Sequence, residues 1–316
     1  MIPLEEIRAA ADRIGGKVHR TPVMSASLIG QRCGGIRLLL KCESFQKTGS
    51  FKPRGALNKI LSLAPAERER GLVTVSAGNH AQAVAWAARA AGAAATVVMP
   101  TDAPRSKIDA VRGYGGEIVF HDDRPTLFDK LEQVRDARGL TFIHPFDDPI
   151  GLAGAGTMGL EIVEDVPAAA MVLVPVGGGG LLAGVASAVK QIRPGTRVVA
   201  VELEAGPGLG PALAAGRPVP VKRPPDTLAD GLTPPFVGVL PLEIARQAVD
   251  EVVTVSEEEI VEAMRLLLTR AKLYVEGAGA AATAALVAGK VRAPAGTVVV
   301  AIVSGGNVDL SRIPRQ

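Results

Sequence analysis

Aromatic side chains are scarce in this chain of 316 residues, where Phe, Trp and Tyr together make up 3%. The core therefore has to be filled by Ala, Val, Leu and Ile; hydrophobic residues still reach 47%, which rules out a disordered chain. Cysteine is nearly missing as well. Neither Cys33 nor Cys42 stands in a Cys-x-x-Cys or a Cys/His cluster, so zinc binding and thiol redox chemistry have no basis. An excess of one charge is also lacking: 35 basic against 32 acidic residues leave a net +3, with no Lys/Arg block, so nucleic acid and anionic membranes get no support as partners. The longest apolar region, 81–99, is interrupted by Arg89 and Gly92 and reads as a helix followed by a strand, not as a membrane span. The start, Met1-Ile2-Pro3-Leu4-Glu5-Glu6, lacks the basic and apolar stretches of a signal peptide. The expected location is the cytoplasm, with both thiols reduced.

What is present is alternation. Short β-branched runs at 37–42, 72–76, 95–99, 117–120, 141–144, 171–175, 197–203, 251–255 and 297–303 read as strands. Ala-rich periodic segments between them, at 53–63, 80–91, 105–113, 125–138, 150–165, 181–192, 257–270 and 278–289, read as helices. Strands and helices at this spacing imply right-handed βαβ units and parallel sheets covered on both faces. The length suits two intimately packed lobes better than one core. Only 206–241, rich in Gly and Pro, breaks the pattern and reads as loop with one short helix; a loop this long in an α/β enzyme often forms part of the active-site surface.

Four motifs carry candidate chemistry. In Lys47-Thr48-Gly49-Ser50-Phe51-Lys52-Pro53-Arg54-Gly55, Lys52 precedes a proline suited to a helix's first turn. The positive end of that helix would favour the neutral amine, the form that makes a Schiff base; on this segment alone, an ordinary solvated lysine is the better reading. Ser76-Ala77-Gly78-Asn79-His80 follows a strand and opens a helix, so its N–H groups can hold a carboxylate or simply form a capped turn. In Val176-Gly177-Gly178-Gly179-Gly180-Leu181, four glycines join a buried strand to a helix; a phosphate cradle gives their entropy cost a reason. The spacing fits neither a P-loop nor a clean GxGxxG fingerprint. Ser304-Gly305-Gly306-Asn307 follows the last strand, at the carboxyl end where open parallel sheets gather functional groups, although its composition is also ordinary turn chemistry.

Together and in this order the motifs, with His144-Pro145-Phe146 and Glu276-Gly277-Ala278-Gly279, resemble the fold type II pyridoxal-phosphate (PLP) enzymes related to the tryptophan synthase β subunit, in the threonine dehydratase and serine racemase branch. The resemblance runs from Arg20-Thr21-Pro22 to Asn307. It implies two open parallel-sheet α/β lobes with PLP in the cleft, a large domain of 1–69 and 148–316, a small mobile domain of 70–147, and a homodimer. It implies that Lys52 holds PLP as a Schiff base and later takes the Cα proton, and that Phe51 lies against the ring. Asn79 would bond the phenolic oxygen, and Gly177, Gly178, Gly179, Gly180 and the N–H of Leu181 would bind the phosphate. Ser304 would bond the pyridine nitrogen, and Ser76, Ala77, Asn79 and His80 would surround the substrate carboxylate. A neutral hydroxyl at Ser304 does not keep that nitrogen protonated, so loss of a β-leaving group is favoured over transamination. The implied activity is conversion of L-threonine to 2-oxobutanoate and ammonia, and of L-serine to pyruvate.

Departures from the family pattern narrow this. Ala77 stands where serine racemases carry the serine that donates a proton on the face opposite the lysine, so little racemisation is expected. Glu202 falls where some relatives bind a divalent cation, but Gly208 offers no second carboxylate and no metal is assigned. The chain stops at Gln316 without the regulatory domain that senses isoleucine in biosynthetic threonine dehydratases, so such inhibition is expected to be absent. The alternatives are a dehydratase for 3-hydroxyaspartate or phenylserine, whose side chain would face 145–147 and Asp230-Gly231, a serine racemase, and a β-replacement enzyme. A non-catalytic relic would have lost Lys52, and a nicotinamide enzyme would leave Lys52 and Ser304 unexplained.

Overall fold

The computed structural model describes residues 1–313. Among these described residues ten strands form two sheets: β1 (Val23–Ser25), β2 (Arg37–Cys42), β3 (Leu72–Val75), β4 (Ala95–Pro100), β5 (Glu117–His121), β6 (Thr141–Phe142), β7 (Met171–Pro175), β8 (Arg197–Leu203), β9 (Glu251–Val255) and β10 (Val298–Val303). The larger sheet runs β1-β2-β10-β7-β8-β9 and the smaller β5-β4-β3-β6. All pairings are parallel except β1 with β2. The fold is thus α/β with two open parallel-sheet lobes.

Strand chemistry dictates the layering. The Val-Val-Val-Ala-Ile-Val of β10 is apolar on both sides and lies near the middle of the larger sheet. Alternate side chains separate to opposite faces. Leu173, Val199, Val201, Val299 and Ala301 pack with helix Gly277–Val287, whereas Val172, Val174, Val198, Val300 and Ile302 pack under helices Pro149–Asp165 and Gly180–Ile192. The apolar cluster under the smaller sheet recruits Ile14 and Ala56, Leu57 and Ile60 of helix Lys52–Ser62, so that helix touches both sheet systems.

Small residues set the helix spacing that places the site. A β-carbon at Gly55 would lie 2.7 Å from Gly151 O, and one at Gly154 2.5 Å from Arg54 O. One at Gly156 would lie 3.0 Å from Gly184 O. Helices Lys52–Ser62, Pro149–Asp165 and Gly180–Ile192 therefore meet backbone to backbone. Arg54, 1% exposed, locks the first of them through Glu43 (2.8 Å) and Glu161 (2.7 Å), and Lys41 Nζ also reaches Glu161 (2.6 Å). Removing one partner of such a buried pair leaves a stranded charge, a loss of about 3–5 kcal/mol.

Several local expectations need correction. Helices Leu4–Ile14, Ser27–Arg32 and Val239–Ala248 and the antiparallel β1 did not stand out in the sequence. The 206–241 stretch contains helix Leu209–Ala215 and the first turn of Val239–Ala248, where Pro241 is tolerated because its missing N–H has no intrahelical partner there. The strand expected at 141–144 stops at Phe142, because His144 turns back to accept the amides of Phe146 and Asp147 (3.2 and 2.8 Å). The helix expected over 257–270 is α-helical to Leu266 and widens into a π-turn, Leu267–Ala271, closed by Lys272 at φ +60°. Among the described residues, no helix is long and apolar enough to cross a membrane.

Candidate active site

The lysine turn is stitched to the end of β10. Phe51 N–H donates to Ser304 O (3.0 Å), Gly306 N–H to Gly49 O (2.9 Å), and Ser50 pairs with Gly305 in an isolated bridge. The turn needs left-handed backbone at Thr48 (φ +59°) and Gly49 (φ +73°). Lys52 opens helix Lys52–Ser62, its Nζ donating to Pro145 O (2.8 Å) and lying 5.1 Å from the Phe51 ring centre. Burial lowers its pKa to about 8, so the neutral amine is accessible near neutrality. The sequence points to the helix dipole for this effect; burial is the cause in the structure.

Lys52 shares a cleft of about 450 Å³ with Phe51, His80, His144, Phe146 and the end of the glycine turn, Gly180 and Leu181; Gly177, Gly178 and Gly179 do not line it. A β-carbon would lie 2.7 Å from Gly231 O at Gly177 and 2.6 Å from Pro241 Cβ at Gly179, and at Gly178 it would run into the Phe146 ring. Gly179 also sits at φ +88°. The amides of Gly177, Gly178 and Gly179 donate to no protein acceptor among the described residues. Gly180 and Leu181 begin the helix and have no preceding turn to bond.

Asn79 and Ser304 come from opposite lobes and are not among the residues that line this cleft. Asn79 Nδ2 donates to Glu276 (2.7 Å), and its Oδ1 accepts from Asn307 Nδ2 (2.7 Å). Ser304 is buried, and its hydroxyl makes only a long 3.4 Å contact with Ala278 O. Ser76 Oγ accepts the N–H of Gly78 (3.1 Å), a local turn bond. Ala77 is half-buried. His80 is buried, with Nε2 3.2 Å from Ile143 O. Burial, then the charge of Lys52, holds its pKa well below 6.5, so its ring is neutral. His144 is likewise lowered by burial.

The 145–147 turn does not simply face a substrate side chain. Phe146 covers the glycine turn, and Asp147 accepts the amides of Val239 and Leu240 (2.9 and 3.1 Å), capping their helix. Glu202 accepts the amides of Gly208, Leu209 and Gly210 (2.7, 2.5 and 2.9 Å). Sequence reasoning gave no role to Glu276, Asn307 or Lys107. Glu276, 3% exposed, has its pKa raised to about 7 by burial and by Asp230, against the pull of Lys107 and Asn79. Lys107 Nζ, from the smaller lobe, pairs with Asp230 of the larger (2.6 Å). Glu276 falls in the Glu-Gly-Ala-Gly motif and Asn307 closes the Ser-Gly-Gly-Asn motif; their position in those motifs was the only signal in the sequence.

These residues fit PLP. Three unpartnered amides beside a helix N-terminus, with no room for a β-carbon, suit a phosphate group. A buried amine of lowered pKa suits an aldehyde, and the under-bonded Ser304 hydroxyl suits a ring nitrogen. Known proteins of similar sequence and structure agree. An L-threonine ammonia-lyase of Thermotoga maritima is 44% identical over 319 residues, covering 100% of this chain and 78% of that protein. The catabolic L-threonine dehydratase TdcB of Escherichia coli K12 is 43% identical, covering 99% of this chain and 95% of that one. The structure of maize serine racemase superposes with a TM-score of 0.93 at 39% identity, covering 98% of this chain and 94% of that one. The family model described as pyridoxal-phosphate dependent enzyme matches residues 14–305, and the chain belongs to that family.

Proposed function

We propose that the protein is a threonine ammonia-lyase that also accepts L-serine. The observation carrying this reading is the near full-length identity with L-threonine ammonia-lyases and dehydratases. The site supports it. PLP, when bound, supplies the carbonyl that captures the amino group and the ring that makes the Cα–H acidic. Lys52 holds the cofactor and, as a neutral amine, takes the Cα proton; its pKa near 8 makes that form available. Gly177, Gly178, Gly179, Gly180 and Leu181 bind the phosphate through N–H groups, Phe51 lies along the ring, Asn79 bonds the phenolic oxygen, and Ser304 meets the ring nitrogen. Ser76, Ala77, Asn79 and His80 surround the substrate carboxylate. Because Ser304 offers a hydroxyl and no charge, it leaves the nitrogen unprotonated and favours loss of the β-hydroxyl. Residues 70–147 act as a smaller domain that closes on the substrate against 1–69 and 148–316; of the latter span, 314–316 lie outside the described residues. We place the enzyme in the cytoplasm as a homodimer.

Serine racemase is the second reading, favoured by the maize structure. Ala77 carries no hydroxyl to deliver a proton to the face opposite Lys52, which weighs against it. One assay separates the readings: keto-acid release from L-threonine, L-serine, 3-hydroxyaspartate and phenylserine, with D-serine quantified in parallel. Keto acid from threonine and serine, none from Lys52→Ala and no accumulating D-serine are expected. Rapid formation of D-serine, or threonine turnover by Lys52→Ala, would overturn the proposal.

A further inference from the structure

Asn79 is clamped at both ends of its carboxamide. The Nδ2 end gives one proton to Glu276 Oε1 at 2.7 Å, and the Oδ1 end takes one from Asn307 Nδ2 at 2.7 Å. Asn307 is fixed in turn, since the same nitrogen donates to Thr48 O at 2.7 Å. Glu276 is fixed by its backbone, whose N–H donates to Gly305 O at 3.2 Å, and by packing so close to Gly305 that a β-carbon there would strike its carboxylate. A β-carbon at Gly49 would lie 2.5 Å from Asn307 Oδ1. The glycines of the lysine turn and of the Ser304 loop are therefore the space into which this clamp fits.

A primary amide has two N–H donors and one acceptor oxygen. With the oxygen and one donor committed, a single N–H of Asn79 is left, and its direction is set by Glu276 and Asn307. We propose that Glu276 and Asn307 are positioning residues that aim this remaining N–H at the phenolic oxygen of the cofactor. Asn79 heads a helix of the smaller lobe, whereas both clamps belong to the larger one. The donor is therefore aimed only when the lobes are in register. The inference rests on the proposed contact of Asn79 with PLP.

The test uses holoenzyme and two readouts, the visible absorption band of bound PLP and its rate of dissociation. Asn79→Ala gives the reference loss. Glu276→Ala and Asn307→Ala should shift the band toward that of Asn79→Ala and speed PLP release about tenfold, the usual effect of one well-aimed hydrogen bond. Glu276→Gln retains an acceptor oxygen and should lose less than about threefold. The double variant Glu276→Ala/Asn79→Ala should be no worse than Asn79→Ala alone, since the clamp has nothing left to aim. A merely structural role would give additive losses, and additivity overturns the proposal, as does an unchanged band in Asn307→Ala or a Glu276→Gln as impaired as Glu276→Ala. If Glu276→Ala does not fold, Glu276→Gln and Asn307→Ala decide alone. If Asn79→Ala itself leaves band and release unchanged, the contact of Asn79 with PLP falls and the inference with it. If only the clamp variants are silent, that contact stands and the inference alone is wrong.

Discussion

The turn from β7 into helix Gly180–Ile192 and the turn from β3 into helix Asn79–Ala90 share one local grammar: a buried parallel strand, glycine, then a helix N-terminus. They use it differently. The first works through backbone. Gly231, Pro241 and Phe146 close over Gly177, Gly178 and Gly179, leaving no room for side chains, and the amides stay free. The second works through side chains. The amide of Gly78 is taken by Ser76 Oγ, a β-carbon there would meet only Lys107 Nζ at 3.6 Å, and Asn79 and His80 make the contacts. Glycine is demanded by packing in one turn and merely accommodated in the other.

The largest expected effect follows from that contrast. An alanine at Gly179 meets both the left-handed backbone at φ +88° and Pro241 Cβ at 2.6 Å. Strain of about 1–2 kcal/mol from the backbone and 1–3 kcal/mol from overpacking has to be relieved by moving the turn. If the freed amides bind phosphate, Gly179→Ala should weaken PLP binding by about a hundredfold. Gly78→Ala should change it by less than about threefold. Equal losses in the two variants, measured by titrating apoprotein with PLP, would erase the distinction between the turns.

The same contrast governs what could be read from the sequence. The glycine turn was legible because four consecutive glycines lose so much backbone freedom on folding that close approach of a ligand or of neighbouring chain is needed to offset it. Lys52 was legible only through the order of the motifs taken together, since Pro53 and the helix start by themselves fit an ordinary loop lysine better. The clamp around Asn79 was not, since Glu276 and Asn307 lie 197 and 228 residues away from it and only folding brings them together. The parallel strands were legible from apolar runs, and the extra helix at Val239–Ala248 was hidden by the Gly- and Pro-rich stretch before it. Its N-terminal cap is Asp147, far back in the chain, so the local capping signal that marks Ser256 and Glu259 is missing there.

A turn built on side chains should also respond to pH where one built on backbone does not. The Glu276 carboxyl has an ordinary value of 4.5 and is raised to about 7 in the fold. Below 4.5 the folded and unfolded chains both carry the proton. Between 4.5 and about 7 the folded chain keeps a proton that the unfolded chain releases, so stability falls as pH rises through that window, by at most about 3 kcal/mol. His80 and His144, held below their ordinary values, act in the opposite direction in both proteins, so thermal unfolding of the apoprotein from pH 4.5 to 7.5 should show the wild type losing stability relative to Glu276→Gln, which cannot titrate. The same pH dependence in the variant would assign the effect to other groups.

A third helix start sharpens the comparison and carries the smallest expected effect. Beyond β8, the amides of Gly208, Leu209 and Gly210 all donate to the carboxylate of Glu202, which is 2% exposed. Here the N–H groups are neither free, as in the glycine turn, nor replaced by side-chain contacts, as at Asn79; a single acid from the preceding strand absorbs them. A carboxylate that already accepts three N–H bonds has little left to offer a cation, and Gly206 and Gly208 bring no side chain to complete a cage of oxygens. Glu202→Ala should strand those amides and lower stability by about 1–3 kcal/mol. Chelation of divalent cations, by contrast, should leave keto-acid release and thermal stability unchanged. A chelator-dependent loss restored by added Mg²⁺ would mean that Glu202 gives up its amides to a metal, and the three helix starts would no longer be three distinct uses of the same geometry.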